Sequence, residues 1–279
     1  MRALRIVCIH SNWGFQLSSP DSATTVKQPR KMLPGLTVKG GFTRHPFDEE
    51  YGVYTSGLIA GRHLKSGHTH DRHNTAYYGV APSVFHALLK RWQKTPPAAP
   101  INEFTFIDVG AGMGRAMLLA ALLPFREVIG VELHPTLARF AQKNLSLWQT
   151  ANRAQSPMRI VCGDAVEFKL PAGPCVTFLF NPFGATVMRR LLSAWNKSRA
   201  ARPAPLDLLY VNHEQECILE QQTAFTRLFR GPVPRSKADA IADYRILANQ
   251  PNGKYASSNH EDCSIYRWLG KPTSGRKTP

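Results

Sequence analysis

Phe106-Ile-Asp-Val-Gly-Ala-Gly-Met-Gly-Arg-Ala116 marks the point where a short apolar run beginning at Phe104 breaks into three alternating glycines. The chain then resumes as an apolar stretch up to Leu123. A brief apolar run closed by glycine reads as a buried strand, Phe104 to Val109, and Arg115 to Leu123 reads as the helix that follows it. Working outward, the alternation repeats. Glu127 to Glu132 is a second strand, and from Pro135 a helix sets Leu137, Phe140, Ala141, Leu145 and Trp148 on one face. Met158 to Cys162 and Val176 to Phe180 read as strands, Ala185 to Asn196 as a helix, and Leu206 to Val211 as a further strand. Between Phe225 and Gln250, FTRLF and YRILA both read as strands around a short helix, and Asp262 to Trp268 is the last strand. Strands alternating with helices of this length make an α/β fold: a doubly wound, mostly parallel, seven-stranded sheet.

Upstream, Pro82-Ser83 opens a helix whose apolar rows are Val84, Leu88, Trp92 and Phe85, Leu89, and TPPAAP (Thr95 to Pro100) ends it as a stiff linker. The organisation expected is an irregular basic extension at 1–45, with RIVCI as an isolated strand candidate, and an N-terminal helical cap with an irregular lead-in at 46–100. The α/β domain follows at 101–270 and a basic tail at 271–279. No apolar run reaches the ~20 residues of a membrane-spanning helix, and the first residues lack the pattern of a secretory signal. Five scattered cysteines never pair as CxxC, which argues against a disulfide framework or a thiolate zinc site and for a reducing, cytoplasmic setting. The net charge of +16 lies largely in the two extremities, where solvated charge is the plain reading. The interior exception is Arg189, Arg190, Lys197, Arg199 and Arg202, a run without an acid that a helix could turn towards an anionic substrate or leave as a wet face.

In a doubly wound sheet the crevice at the strand ends binds ligands, so the residues there carry the chemistry. The loop reads Asp108-x-Gly110-x-Gly112-x-Gly114, not GxGxxG. An acid two residues before the first glycine opposes a pyrophosphate and suits a ligand bearing an ammonium group. Glu132 ends the second strand, where a carboxylate accepts both hydroxyls of a ribose. Gly163-Asp164-Ala165 ends the third, with Asp164 placed to accept from an adenine amine.

FIDVGAGMGRAMLLA, VIGVELHP and CGDAVEF resemble the first three cofactor motifs of class I, Rossmann-like methyltransferases, and the resemblance spans about Phe104 to Asn212. It implies S-adenosyl-L-methionine as cofactor. Asp108, Gly110, Gly112 and Gly114 would hold its methionine part, Glu132 its ribose, Leu133 would pack on adenine, and Asp164 with Ala165 would meet the adenine edge. With FDEEYGV and YYGVAPSVF upstream, the whole resembles a broad bacterial group of methyltransferases, and FIDVGAGMGR with GVELHP is similar to the non-SET protein lysine methyltransferases.

Asn181-Pro-Phe-Gly184 resembles the Asn-Pro-Pro-Tyr/Phe motif that holds a target nitrogen, departing from it at Phe183 and Gly184; equally, it is a strand-to-helix turn. Tyr77 and Tyr78 either close over the cofactor or pack the cap on the sheet. His63, His68, His70 and His73 crowd one segment, but without cysteines or strand geometry they read as a polar loop, and no metal is expected. Direct displacement from a sulfonium needs alignment more than a metal or covalent nucleophile. The leading expectation is therefore methyl transfer to an unidentified acceptor, an amine of a protein or small molecule. An RNA acceptor and a non-catalytic cofactor- or RNA-binding module are the alternatives, and oligomeric state is not legible.

Overall fold

The computed structural model describes residues 43–96, 98–248 and 258–270. The RIVCI strand, nearly all of the 1–45 extension and the 271–279 tail lie outside them. The first described element is α1 (Pro46–Tyr51), followed by two short strands, β1 (Leu58–Ile59) and β2 (Tyr77–Tyr78), paired antiparallel. Then come α2 (Pro82–Lys94), β3 (Thr105–Val109), α3 (Arg115–Ala120), β4 (Glu127–Glu132), α4 (Pro135–Thr150), β5 (Met158–Cys162) and β6 (Cys175–Phe180). The chain continues as α5 (Ala185–Ala201), β7 (Leu206–Val211), α6 (Glu216–Glu220), β8 (Phe225–Pro234), α7 (Lys237–Ala248) and β9 (His260–Trp268).

The main sheet has seven strands in the order β5-β4-β3-β6-β7-β9-β8. β3 to β7 are parallel, and β9 is antiparallel to both β7 and β8. The chain winds outward from β3 to β5, then returns across β3 to start β6, so the switch point lies between β3 and β6. Period-two alternation sends successive residues of each strand to opposite faces. Phe106, Phe178, Leu209 and Val211 join the core beneath α2, α3 and α4, whereas Ile107, Leu179, Leu208 and Tyr210 join the core beneath α5 and α6. The N-terminal helix α2 buries both predicted rows there. Its Trp92 indole N–H also donates to buried Asp207 at 2.7 Å.

Three readings need correction. The lead-in, Phe47 to Tyr78, is not irregular throughout, since α1, β1 and β2 fall in it. It is built around Asp48, whose carboxylate accepts from Thr55 N, Ser56 N and both hydroxyls at 2.5–2.7 Å. Arg115, at the start of α3, is buried against it, with bonds to Thr55 Oγ1, Ser56 Oγ and Gly79 O. A Cβ on Gly79 would stand 2.7 Å from the Arg115 guanidinium carbon. YRILA is the end of helix α7, not a strand: Ala242, Asp243 and Ile246 recur at helical spacing and are buried, a period masked by the β-favouring Tyr244 and Ile246. Finally, Phe140 is only half-buried, while the buried face of α4 includes Asn144.

Candidate functional site

The carboxyl ends of β3, β4, β5 and β6 surround a cleft that is open to solvent on one side. Gly110, Gly112, Glu132, Leu133, Asp164, Ala165 and Tyr78 line it. Two of the predicted cofactor residues do not. Gly114 is the left-handed N-cap of α3, with φ 89°. Asp108 lies beneath the lining and is 4% exposed.

The loop's amides are nearly all committed to protein. Gly110 N and Ala111 N donate to Val131 O at 2.9 and 3.1 Å, Gly112 N donates to Glu132 Oε2 at 2.7 Å, and Gly114 N donates to Ala111 O at 2.8 Å. Asn144 Nδ2 donates to Met113 O at 2.9 Å, tying the loop to α4. A loop that holds a pyrophosphate must leave those N–H groups free, so this one is not built for phosphate. Gly112 is left-handed (φ 55°), and a Cβ there would stand 2.2 Å from the ring of Tyr77, whose hydroxyl donates to Thr55 O at 2.7 Å. Tyr77 is thus a packing residue of the loop, and Gly112 has a structural duty beside any ligand contact.

Glu132 also accepts from His134 N at 2.8 Å, so its two oxygens face fixed backbone donors and each keeps a lone pair for a ligand hydroxyl. Burial raises its carboxyl above the usual range, against those two bonds. Burial, and then the nearby Glu132 charge, push Asp108 up to about 8. A carboxyl in that state is stabilised as an anion by an arriving cation. Asp164 Oδ1 accepts from Val166 N at 2.9 Å, and its Oδ2 lies 3.0 Å from His70 Nδ1. Arg190 Nη1 is 2.6 Å from His70 Nε2. A guanidinium cannot accept, so Nε2 does, which leaves the proton of a neutral ring to Nδ1; that atom is near Asp164 but makes no aligned hydrogen bond to it.

The sequence singled out the three members separately, Asp164 at a strand end, His70 in the histidine cluster and Arg190 in the basic run, but held no signal that they meet. His68, His70 and Asp164 also bring their ligand atoms within 4.8 Å of one another, as a metal would need. Arg190 opposes that use, because a metal on Nδ1 would move the imidazole proton onto the atom that accepts from the guanidinium. The basic run divides as well: Arg189, Lys197 and Arg202 are exposed on or beside α5, but Arg199 is buried, donating to Pro171 O and Gly173 O at 3.2 Å.

A second cavity adjoins the cleft, sharing Thr75, Ala76, Tyr78 and Phe180 with it and adding Asn181, Asn212, Glu214, Arg235 and Glu261. Asn181 takes up the left-handed conformation (φ 39°), its carbonyl accepts from Thr75 Oγ1, and its side-chain oxygen accepts from Tyr210 Oη at 3.4 Å. Tyr78 does not lie across the mouth as a free lid, because its hydroxyl donates to Asp243 Oδ1 at 2.5 Å. Asn212, Arg235 and Glu261 were not singled out in the sequence. Only the match between Phe180-Asn181 and Val211-Asn212 at the ends of two strands could have pointed to one of them.

No family model and no curated protein matches the chain. Among solved structures it is similar to the magnesium protoporphyrin IX methyltransferase of Synechocystis with bound SAM, at 12% identity and a TM-score of 0.42, over 67% of this chain and 76% of that one. It is similar to a TehB-like SAM-dependent methyltransferase of Corynebacterium glutamicum at 13% identity and a TM-score of 0.37, over 70% and 90%. It is also similar to the cyclase SpnF at 14% identity and a TM-score of 0.47, over 67% and 82%. By its strand order, the fold is the Rossmann-like methyltransferase fold.

The residues of the cleft fit S-adenosylmethionine on their own chemistry. Glu132 is a fixed acceptor for hydroxyls and Asp108 a buried acid wanting a cation. At Gly163 an added Cβ would meet nothing within 4 Å, leaving room beside Asp164 for a flat base.

Proposed function

We propose that the chain is an S-adenosylmethionine-dependent methyltransferase whose acceptor is an amine nitrogen of a protein or small molecule. One observation carries the cofactor reading: the glycine loop donates its amides to Val131 O, Glu132 and Ala111 O, and leaves Glu132 in the cleft wall with the acid Asp108 buried beneath it. Such a site selects hydroxyls and a cation and rejects a dinucleotide's pyrophosphate. In it Glu132 orients the ribose, Leu133 covers one adenine face, Asp164 accepts from the adenine amine, and Asp108 neutralises the ammonium. The bound cofactor supplies an electrophilic methyl group; the protein's part is to align a nucleophile with it and shed water. Asn181, in the cavity that opens onto the cleft past Tyr78 and Phe180, is the residue we assign to the acceptor.

Residues 46–100 serve in this reading as the support of the glycine loop, through Arg115, more than as a lid. The RNA alternative gains no specific observation, and burial of Arg199 removes one member of its basic run. Among the described residues, no helix is long and apolar enough to cross a membrane. The free cysteines Cys162, Cys175, Cys217 and Cys263 support a reducing, cytoplasmic setting. Asn181→Ala tests the acceptor assignment. S-adenosylhomocysteine release should fall by about 30-fold or more, while calorimetric cofactor affinity stays within about twofold, since one hydrogen bond to a reacting group is lost and none to the cofactor. Unchanged turnover would return NPFG to the role of a turn.

A further inference from the structure

Asn181 and Asn212 hold matching places on neighbouring strands. β6 and β7 run parallel with Phe180 opposite Val211, so each asparagine is the first residue past the last paired position. Both are left-handed, with φ 39° and 49°, and both line the second cavity. Left-handed asparagine ending a strand is ordinary turn chemistry and assigns nothing alone. Two further observations do. The Asn212 carboxamide, half-buried, has no hydrogen-bond partner among the described residues, and that of Asn181 has only the long contact from Tyr210.

The charge of the cavity also runs against that of the chain. Among the described residues, Arg235 is the one cation of the lining, and it is matched by Asp243 at 2.9 Å and by Glu261. Glu214, exposed at the rim, has no ion-pair partner among the described residues. In a chain of net charge +16, this cavity is therefore acidic on balance.

Resting on the methyl-transfer reading above, we propose that Asn181 and Asn212 form a paired-carboxamide seat for a primary amine, with Glu214 drawing its cationic form to the mouth. At the rim the arriving ammonium first gives one proton to water, and two carboxamide oxygens then accept the two N–H bonds of the neutral NH2 group and leave its lone pair free. That lone pair forms the new bond to the methyl carbon while the sulfur–methyl bond breaks and its electrons return to sulfur. The secondary ammonium so formed gives its proton to water at the rim beside Glu214. Only one N–H then remains for two acceptors, so the product is held less well than the substrate, and the reaction stops at the monomethyl stage.

The test uses the full chain, methyl-labelled S-adenosylmethionine, and two primary-amine probes, n-butylamine and Nα-acetyl-lysine methylamide. The controls are n-butanol, butyrate and poly(U). Transfer to an amine probe should exceed that to every control by about tenfold or more, with monomethylamine as the main product, because an unpaired seat rejects an acceptor lacking N–H groups. Asn212→Ala should cut amine transfer by roughly 10- to 100-fold with cofactor affinity within about twofold, the loss expected for one hydrogen bond at the reacting atom. Glu214→Gln, at an exposed position that does not endanger folding, should raise KM for the amine about threefold and leave kcat unchanged, as loss of one rim charge does. Transfer to a control alone, no transfer while the cofactor binds, accumulation of di- or trimethylamine, or an Asn212→Ala protein with full amine activity would each overturn the seat. Failure of the cofactor itself to bind would instead overturn the underlying reading.

Discussion

The cleft under the glycine loop and the cavity past Tyr78 share a wall but are finished to different degrees. In the cleft, the acids are already held: Glu132 by Gly112 N and His134 N, Asp164 by Val166 N and His70. In the cavity, Asn212 has no partner among the described residues, and Asn181 has one long contact. A ligand entering the cleft meets donors and acceptors fixed in place, so little ordering cost is left to meet at binding. A ligand entering the cavity must order the groups that hold it. The first arrangement suits a cofactor that is always the same molecule; the second suits an acceptor that docks only after it.

Substitutions should break that contrast unequally. The largest effect is expected from Glu132→Ala. It should weaken cofactor binding on the order of 100-fold and lower Tm by several degrees, because the ligand loses a charged acceptor and two backbone N–H groups lose theirs. Calorimetry and thermal unfolding together read it; a loss of affinity without loss of Tm would mean the loop is not held by this carboxylate.

Asp108→Asn comes next, with about a tenfold loss of affinity for want of a charge-assisted contact. The sign of its pH dependence follows from a folded-state value of about 8 against an ordinary 3.8. The protonated carboxyl favours the folded chain below the ordinary value, and that contribution is lost as pH rises towards about 8. The Asn variant should therefore gain stability relative to the parent as pH rises across that window. A cationic ligand favours the ionised acid, so parental cofactor affinity should climb towards pH 8 while that of the variant stays flat.

His70→Ala should cost only about three- to tenfold in cofactor affinity, since it removes an orienting contact to Asp164 and none to the ligand. It should also narrow the preference for S-adenosylhomocysteine over S-inosylhomocysteine, which lacks the amine. A preference left intact would detach Asp164 from the adenine edge. Smallest is Tyr78→Phe at the shared wall, about 1 kcal/mol of stability through the lost bond to Asp243 and no change in cofactor affinity.

What was legible in the sequence is what lies close in sequence. β4, β5 and β7 run between the residues expected because their apolar runs are bounded by polar or turn residues within a few positions. The cleft was readable for the same reason: Glu132 closes β4, and Asp164 follows the end of β5 by two residues. The cavity was not, since Tyr78, Asn181, Asn212, Arg235 and Glu261 come from five separate segments and converge only through the sheet order. The lead-in escaped because its cohesion rests on one buried acid, Asp48, and one buried arginine, Arg115, from distant parts of the chain. Arg199 looked like part of a wet face because it stands in the sequence between Lys197 and Arg202, although helical spacing sets it on the buried face of Leu192 and Trp195, where it reaches the carbonyls of Pro171 and Gly173.

The central claim is that the cleft takes S-adenosylmethionine and not a dinucleotide. Parallel isothermal titration of the full chain with S-adenosylmethionine, S-adenosylhomocysteine, NAD and NADP tests it most directly. Binding of the first two in the micromolar range, about −8 kcal/mol, with none of the others, is the predicted result. Binding of NAD or NADP, or of none of the four, would contradict it.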